Sequence, residues 1–245
     1  MHKPVLLITQ LALLTLPMLA VPALAQKIGI DVQDGKAEEG ALANLEKLAQ
    51  AEQEKWISLF DGKTLGAWKV TAFGGGAEPK VEPKFRENKA AITVGTGVAL
   101  SGFNYTKEFP KTNYEISLEM MKIEGSDFAC GITFPIGDSF ASLILGGWGG
   151  QVVGISSVNM MDASENETTT SMAFPKEKWF KIRLRVTPTT VTAWVNEKEK
   201  VNLTLKGKLI TLRHGEISKS MPLGISAYQT SAAYREIKYR KIEDK

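Results

Sequence analysis

Residues 178–187 (KWFKIRLRVT) put Phe180, Ile182, Leu184 and Val186 on one side and Lys181, Arg183 and Arg185 on the other. A period of two is the signature of a strand with one face buried and one in water, and no helix can use it. The pattern recurs. Residues 113–123 (NYEISLEMMKI) align Tyr114, Ile116, Leu118 and Met120. Residues 190–196 and 199–205 alternate across an Asn196-Glu197-Lys198 turn, and 223–229 and 234–242 close the chain. Shorter apolar runs lie at 56–60, 127–134, 140–145 and 151–158, the first stopped by the turn dipeptide Asp61-Gly62. About a dozen short strands separated by turns imply an all-β, two-sheet antiparallel sandwich. One core serves them all, so residues 56–245 read as a single domain without repeats.

The preceding residues have a different texture. His2 and Lys3 are followed by an apolar run from Val5 to Ala20 and by Ala23-Leu24-Ala25, a small-x-small cleavage site. Residues 1–25 thus read as a secretory signal peptide cut before Gln26, which places the protein in a periplasm or outside the cell. No later stretch is long and apolar enough to span a membrane, so no membrane association is expected after cleavage. Residues 26–55 read as a leader followed by a short amphipathic helix, with Leu42, Leu45, Leu48 and Ala49 on one stripe.

Composition excludes several classes of function. Without Lys3 the chain has 29 basic and 27 acidic side chains, too balanced for a nucleic-acid partner, which needs a dense basic stripe. Cys130 is the single cysteine, so stability cannot come from an intrachain disulfide; its apolar neighbours read as a buried, inert thiol. Of the two histidines, His2 lies in the signal and His214 in a polar stretch. A His-rich zinc site is therefore excluded, and no G-x-S-x-G elbow, P-loop or G-x-G-x-x-G is present.

The run Leu59-Phe60-Asp61-Gly62-Lys63-Thr64-Leu65 followed by Trp68 resembles the opening motif of the 3-keto-disaccharide hydrolase family. Three later stretches fit that family in order. These are Asp127 to Phe134, Trp179 through Asn196, and Pro222-Leu223-Gly224-Ile225 through Arg235-Glu236-Ile237. The resemblance covers Trp56 to Ile242 and implies a concanavalin A-like jelly roll. It also implies a carbohydrate partner, either an oxidised disaccharide or a glycan, and cleavage of 3-keto-glycosides by hydrolysis or by elimination and hydration. A ketone at carbon 3 acidifies the proton on carbon 2, so a positioned base can remove it while a donor or a divalent metal ion stabilises the enolate. The chain departs from the family at three places. Its 127–134 strand has no Asn and runs into Phe134-Pro135, its 140–145 strand has no acidic residue, and Ala227-Tyr228-Gln229-Thr230-Ser231 has no histidine.

Two segments could form a site. In Leu145-Gly146-Gly147-Trp148-Gly149-Gly150, four glycines flank a tryptophan that either stacks on a sugar ring or folds onto the core. The segment Met161 to Thr168 holds Asp162, Glu165, Glu167 and Asn166, a source of acid, base or cation ligands, or else a solvated loop. Under the elimination chemistry, Glu165 or Glu167 is the leading candidate for the base, with Asp162 in the same segment. Asp127 or Gln229 would orient substrate or metal, and Trp148, Asn166 and Tyr228 would contact the sugar. The face bearing Trp179, Lys181, Arg183, Arg185 and Trp194 reads as a structural cation–π ladder. Three functions fit this reading: an exported 3-keto-glycosidase, a glycan-binding module without turnover, and a structural envelope protein whose helix recruits a partner.

Overall fold

The computed structural model describes residues 55–243. The chain divides into two units, Met1–Lys55 and Trp56–Lys245. The signal sequence and the amphipathic helix inferred above lie outside the described residues.

Among the described residues, fifteen strands form two antiparallel sheets. Sheet I runs, in spatial order, β13 (Lys198–Thr204), β12 (Thr190–Val195), β11 (Trp179–Val186), β6 (Tyr114–Gly125), β15 (Thr230–Lys241), β4 (Ala91–Val94) and β3 (Lys80–Glu82). The short β1 (Ile57–Ser58) also pairs with β15. Sheet II runs β10 (Thr170–Ser171), β9 (Val152–Ser156), β8 (Ser139–Gly147), β7 (Cys130–Ile136), β14 (Leu223–Tyr228), β5 (Leu100–Tyr105) and β2 (Trp68–Val70).

The alternation sets the layers. In β11 every second residue is buried, and Phe180, Ile182, Leu184 and Val186 point inward as the pattern requires. From sheet II, Phe103, Ile132, Phe134, Leu143, Leu145, Ile155 and Ile225 meet them in one continuous core. Each such side chain contributes about 1.5–3 kcal/mol by leaving water. Two tyrosines join this core because their hydroxyls find carbonyls: Tyr114 donates to Pro135 O at 2.6 Å and Tyr234 to Ala129 O at 2.7 Å.

The opening motif is a structural staple. The Asp61 carboxylate accepts the backbone N–H groups of Lys63 and Thr64, both at 2.8 Å, which closes the turn. The Trp68 indole then donates back to Leu59 O at 2.7 Å inside the core.

The outward face of sheet II is built differently from that of sheet I. Its central outward positions are small: Gly102, Gly131, Thr133, Ser142, Gly224 and Ser226 are all buried. Gly102 is crowded by Ile225 and Ser226 and Gly131 by Phe128 and Ile144, while Gly224 lies under the connection between Thr204 and Leu223, which crosses this face as a strap. At one end Ser157 N donates to Thr211 O at 2.8 Å and Ser139 Oγ to Ile210 O at 2.6 Å. At the other, Glu216 accepts Gly74 N at 2.6 Å and Lys219 Nζ donates to Ala72 O at 3.0 Å. A Cβ added at Gly224 would lie 2.4 Å from Ser220 Cβ, so glycine is the residue that lets the strap approach.

Candidate functional site

The β8–β9 turn presents Trp148. The backbone is left-handed at Gly146, Trp148, Gly149 and Gly150, and Trp148 itself has φ 47°. A bulky side chain in that region is strained and persists only where its surroundings hold it there. Here the holding group is Asp127: its Oδ2 accepts Gly149 N at 3.1 Å and its Oδ1 accepts Phe128 N at 2.8 Å. The indole is left 40% exposed.

The same aspartate ties the turn to the start of β15. Asp127 N donates to Thr230 Oγ1 at 3.2 Å, and Lys122 Nζ donates to Asp127 O at 3.2 Å. Burial pulls the Lys122 ammonium below its usual range, against the attraction of Asp127 and with the repulsion of Lys176. Tyr228 stacks on Phe128 with ring centroids 5.9 Å apart, and the exposed Gln229 turns the chain into β15 at φ 44°. Asp127, Trp148, Tyr228 and Gln229, which are far apart in sequence, thus belong to one hydrogen-bonded and stacked set of turns.

On the other side of Trp148 stands the residue that precedes His214 in its polar stretch. The Arg213 guanidinium, carried by the strap, lies 5.8 Å from the Trp148 ring centroid. Its Nε also forms an ion pair with Asp162 Oδ2 at 3.2 Å, while Ser156 Oγ donates to Asp162 Oδ1 at 3.0 Å. Asp162 is therefore the one member of the acidic segment that joins the tryptophan. Arg213 and Ser156 were missed. The signal for the arginine was the length of its connection, since long segments without regular structure inside a compact domain usually carry function.

The remaining candidates sit elsewhere. Asn166 is buried, and its Nδ2 donates to the carbonyls of Ile155, Met161 and Asp162 at 2.8, 3.0 and 2.7 Å. Its Oδ1 accepts the N–H and the hydroxyl of Thr168 at 2.9 and 2.6 Å. An amide used this fully organises its own loop and has no donor or acceptor to offer a sugar. Glu167 is exposed and paired with Lys208 at 2.7 Å, and Glu165 is exposed. The Glu165 backbone N–H donates to Asp162 O at 2.9 Å, and the only ion pair of either carboxylate among the described residues is that of Glu167 with Lys208. Among the described residues no group of three or more His, Cys, Asp or Glu side chains is placed to hold a metal ion.

A family model, the 3-keto-alpha-glucoside-1,2-lyase-like domain, matches residues 55–243. The chain belongs to that family. The fold agrees with solved structures of low identity. A protein of Parabacteroides distasonis ATCC 8503 assigned as a glycosyl hydrolase aligns at TM-score 0.50 and 13% identity, over 79% of this chain and 97% of that one. The Crh5 transglycosylase in complex with NAG aligns at TM-score 0.52 and 14% identity, over 78% and 85% of the two chains. No curated protein matches. The family and these likenesses make this a carbohydrate-active or carbohydrate-binding fold of the jelly-roll type.

Proposed function

We propose that this domain binds a carbohydrate at the Trp148 opening and leaves the glycosidic bond intact, in a protein exported to a periplasm or to the cell exterior. One observation carries the reading. Trp148 is held in a strained, left-handed backbone that keeps its ring exposed, with a guanidinium and a carboxylate beside it. An indole face buries the apolar C–H surface of a sugar ring, while Arg213 and Asp162 supply a donor and an acceptor for its hydroxyls. The carboxylates at this opening already have fixed partners: Asp127 takes two backbone N–H groups, and Asp162 takes Arg213 and Ser156. Such fixed partners hold a loop or orient a ligand well, and each carboxylate keeps further lone pairs that can accept from a sugar hydroxyl.

The family match favours a second reading, cleavage of a 3-keto-glycoside. In that case Asp162 is the base, released from Arg213 when the ketone oxygen takes the guanidinium as its electrophile. Calorimetric titration of glucose disaccharides and of their 3-keto forms, followed by NMR of the incubated mixtures, separates the two. The binding reading predicts unchanged sugars and an affinity that falls by about 1–3 kcal/mol in Trp148→Ala. Product formation lost in Asp162→Asn would establish the lyase reading. An unchanged affinity in Trp148→Ala would refute the site under both.

A further inference from the structure

Apolar residues with a left-handed backbone are scarce in this domain. Among the described residues eleven non-glycine positions have φ between 44° and 65°, and nine of them are Asn, Gln or Glu. The other two are Trp148 (φ 47°) and Met160 (φ 65°). Asparagine tolerates this region, whereas a bulky apolar side chain there is an outlier, and such outliers cluster at functional sites.

Met160 stands at the tip of a tight hairpin. Val158 and Met161 exchange backbone hydrogen bonds, both at 3.0 Å, across Asn159 (φ 52°) and Met160. A two-residue turn with both central residues left-handed favours Asn-Gly, so methionine occupies a place where glycine would be free of strain. Met160 is 79% exposed. The turn is joined to the strap, since Asn159 N donates to Leu209 O at 2.7 Å and Leu209 N to Asn159 Oδ1 at 2.9 Å. Leu209 and Met161, 54% and 41% exposed, complete an apolar tip.

The tip and Trp148 flank one ion pair. Asp162 follows Met161 directly, Arg213 comes four residues after Leu209, and the two charged groups meet at 3.2 Å. Four residues span at most about 14 Å, so tip and ion pair are within reach of one small ligand. Such a ligand is polar where the ion pair stands and apolar at the end that reaches Met160. A bilayer surface matches this order poorly. Inserting the tip and the indole together would take the Arg213–Asp162 pair out of water, and Glu165, exposed in the same loop, would oppose an anionic membrane.

We propose that the Trp148 opening takes a glycoside with an apolar aglycone. The sugar ring lies on Trp148 with its hydroxyls toward Arg213 and Asp162, and the aglycone lies on Met160, Met161 and Leu209. Methionine suits that place, because its polarisable thioether packs against aromatic groups of varied shape. The sugar half of the ligand rests on the carbohydrate reading given above, and the apolar half rests on the tip.

The test compares phenyl with methyl glycosides of glucose and of galactose, which differ in the aglycone alone. Each is titrated into the intact protein by calorimetry, and the methionine methyl resonances are followed by NMR. At least one phenyl glycoside should bind about tenfold or more tightly than its methyl counterpart. It should also move the Met160 methyl resonance, assigned by its loss in Met160→Gly. Glycine relaxes the turn and so keeps the fold; combined with Leu209→Ser it should cut the phenyl preference to less than about threefold. Trp148→Ala should weaken both kinds of glycoside by the same factor. The proposal is overturned if no phenyl glycoside is preferred, if the preference survives the double variant, or if it disappears in Trp148→Ala, which would put the phenyl group on the indole. Co-sedimentation with phosphatidylglycerol vesicles that is lost in Met160→Gly would assign the tip to a membrane and overturn it as well. Failure of the carbohydrate reading leaves a different trace: the phenyl preference persists while Trp148→Ala changes neither affinity, which removes the sugar half of this proposal with it.

Discussion

Glu115 is fully buried on the outward side of β6, where the sheet register sets it opposite Arg185 on β11 and Arg240 on β15. Its Oε1 accepts from Arg185 at 2.6 Å and from Arg183 at 3.2 Å, and its Oε2 accepts from Arg240 at 2.7 Å. Trp194 stacks over Arg183 at 3.8 Å and covers the cluster. Glu115→Gln keeps the shape, removes the charge and leaves three guanidiniums facing one another. Breaking a buried pair costs about 3–5 kcal/mol. The three arginine side chains are 16–40% exposed and can turn partly into water, which sets the expectation at the lower end, about 3 kcal/mol. For a domain of this size that is a fall in Tm of roughly 6–12 °C.

The effect has a pH signature. Burial alone would raise the Glu115 pKa, but Arg240 and Arg185 outweigh it and hold the carboxyl below its ordinary value of 4.5. A depressed folded-state pKa means that the unfolded chain binds the proton more readily. The stabilisation is therefore complete above 4.5 and is lost as pH falls through the folded-state value. Urea unfolding of both proteins between pH 7 and pH 3 should show a gap of about 3 kcal/mol at pH 7 that narrows below pH 4.5. Asp61, Asp138 and Glu216 are also held low, but all three remain in both proteins and cancel in the comparison. A gap at pH 7 under about 0.5 kcal/mol, the size of an ordinary surface pair, would refute the account. So would a gap that stays constant down to pH 3.

Three further outcomes are expected. Cys130 is completely buried, and burial pushes its thiol far above the usual range, so maleimide should label it only after unfolding; rapid labelling of the native protein would contradict the packing of β7. Asn166→Ala strips one loop of its internal partners and should lower stability by about 2–3 kcal/mol in thermal melts, because the carbonyls of Ile155, Met161 and Asp162 lose their donor; an unchanged melting curve would show that water replaces the amide. Mass spectrometry of the protein recovered from an exporting host should find Gln26 at the N-terminus, and a retained Lys3 would refute the signal reading.

What the sequence could reveal followed the reach of its signals. Alternation located β6, β11, β12 and β13, because burial on one face leaves a period of two that survives in a single sequence, and β7, β8 and β9 were located as apolar runs. The strands Trp68–Val70, Lys80–Glu82, Ala91–Val94, Leu100–Tyr105 and Thr170–Ser171 were not recognised. They are short, and β5 carries Gly102 because Ser226 and Ile225 crowd that position, so its pattern is broken by packing and not by a turn. Trp148 was legible because its glycine flanks announce an unusual backbone. Asp162 was legible as one of several acids, but only a contact with Arg213, 51 positions along the chain, distinguishes it from Glu165 and Glu167. Nothing in local composition reports such a pairing. Asn166 illustrates the opposite error: an amide among carboxylates looks like a ligand, and its burial and five hydrogen bonds give it a different task.

The small outward residues of sheet II and the position of Arg213 are one fact seen twice. In an open jelly-roll sheet the outward positions are free to carry large polar side chains. Here Gly224 must stay small because the strap lies against it, and a methyl group there would meet the Ser220 backbone oxygen at 2.5 Å. The strap ends in hydrogen bonds at both edges of the sheet, so its course is fixed, and that course brings Arg213 to Asp162 and Trp148. The opening is thus moved from the middle of the sheet to the turn at its end. On the carbohydrate-binding reading proposed above, a sheet whose centre lies under a covering segment would recognise its ligand at the rim, where the strained turn holds the Trp148 ring exposed.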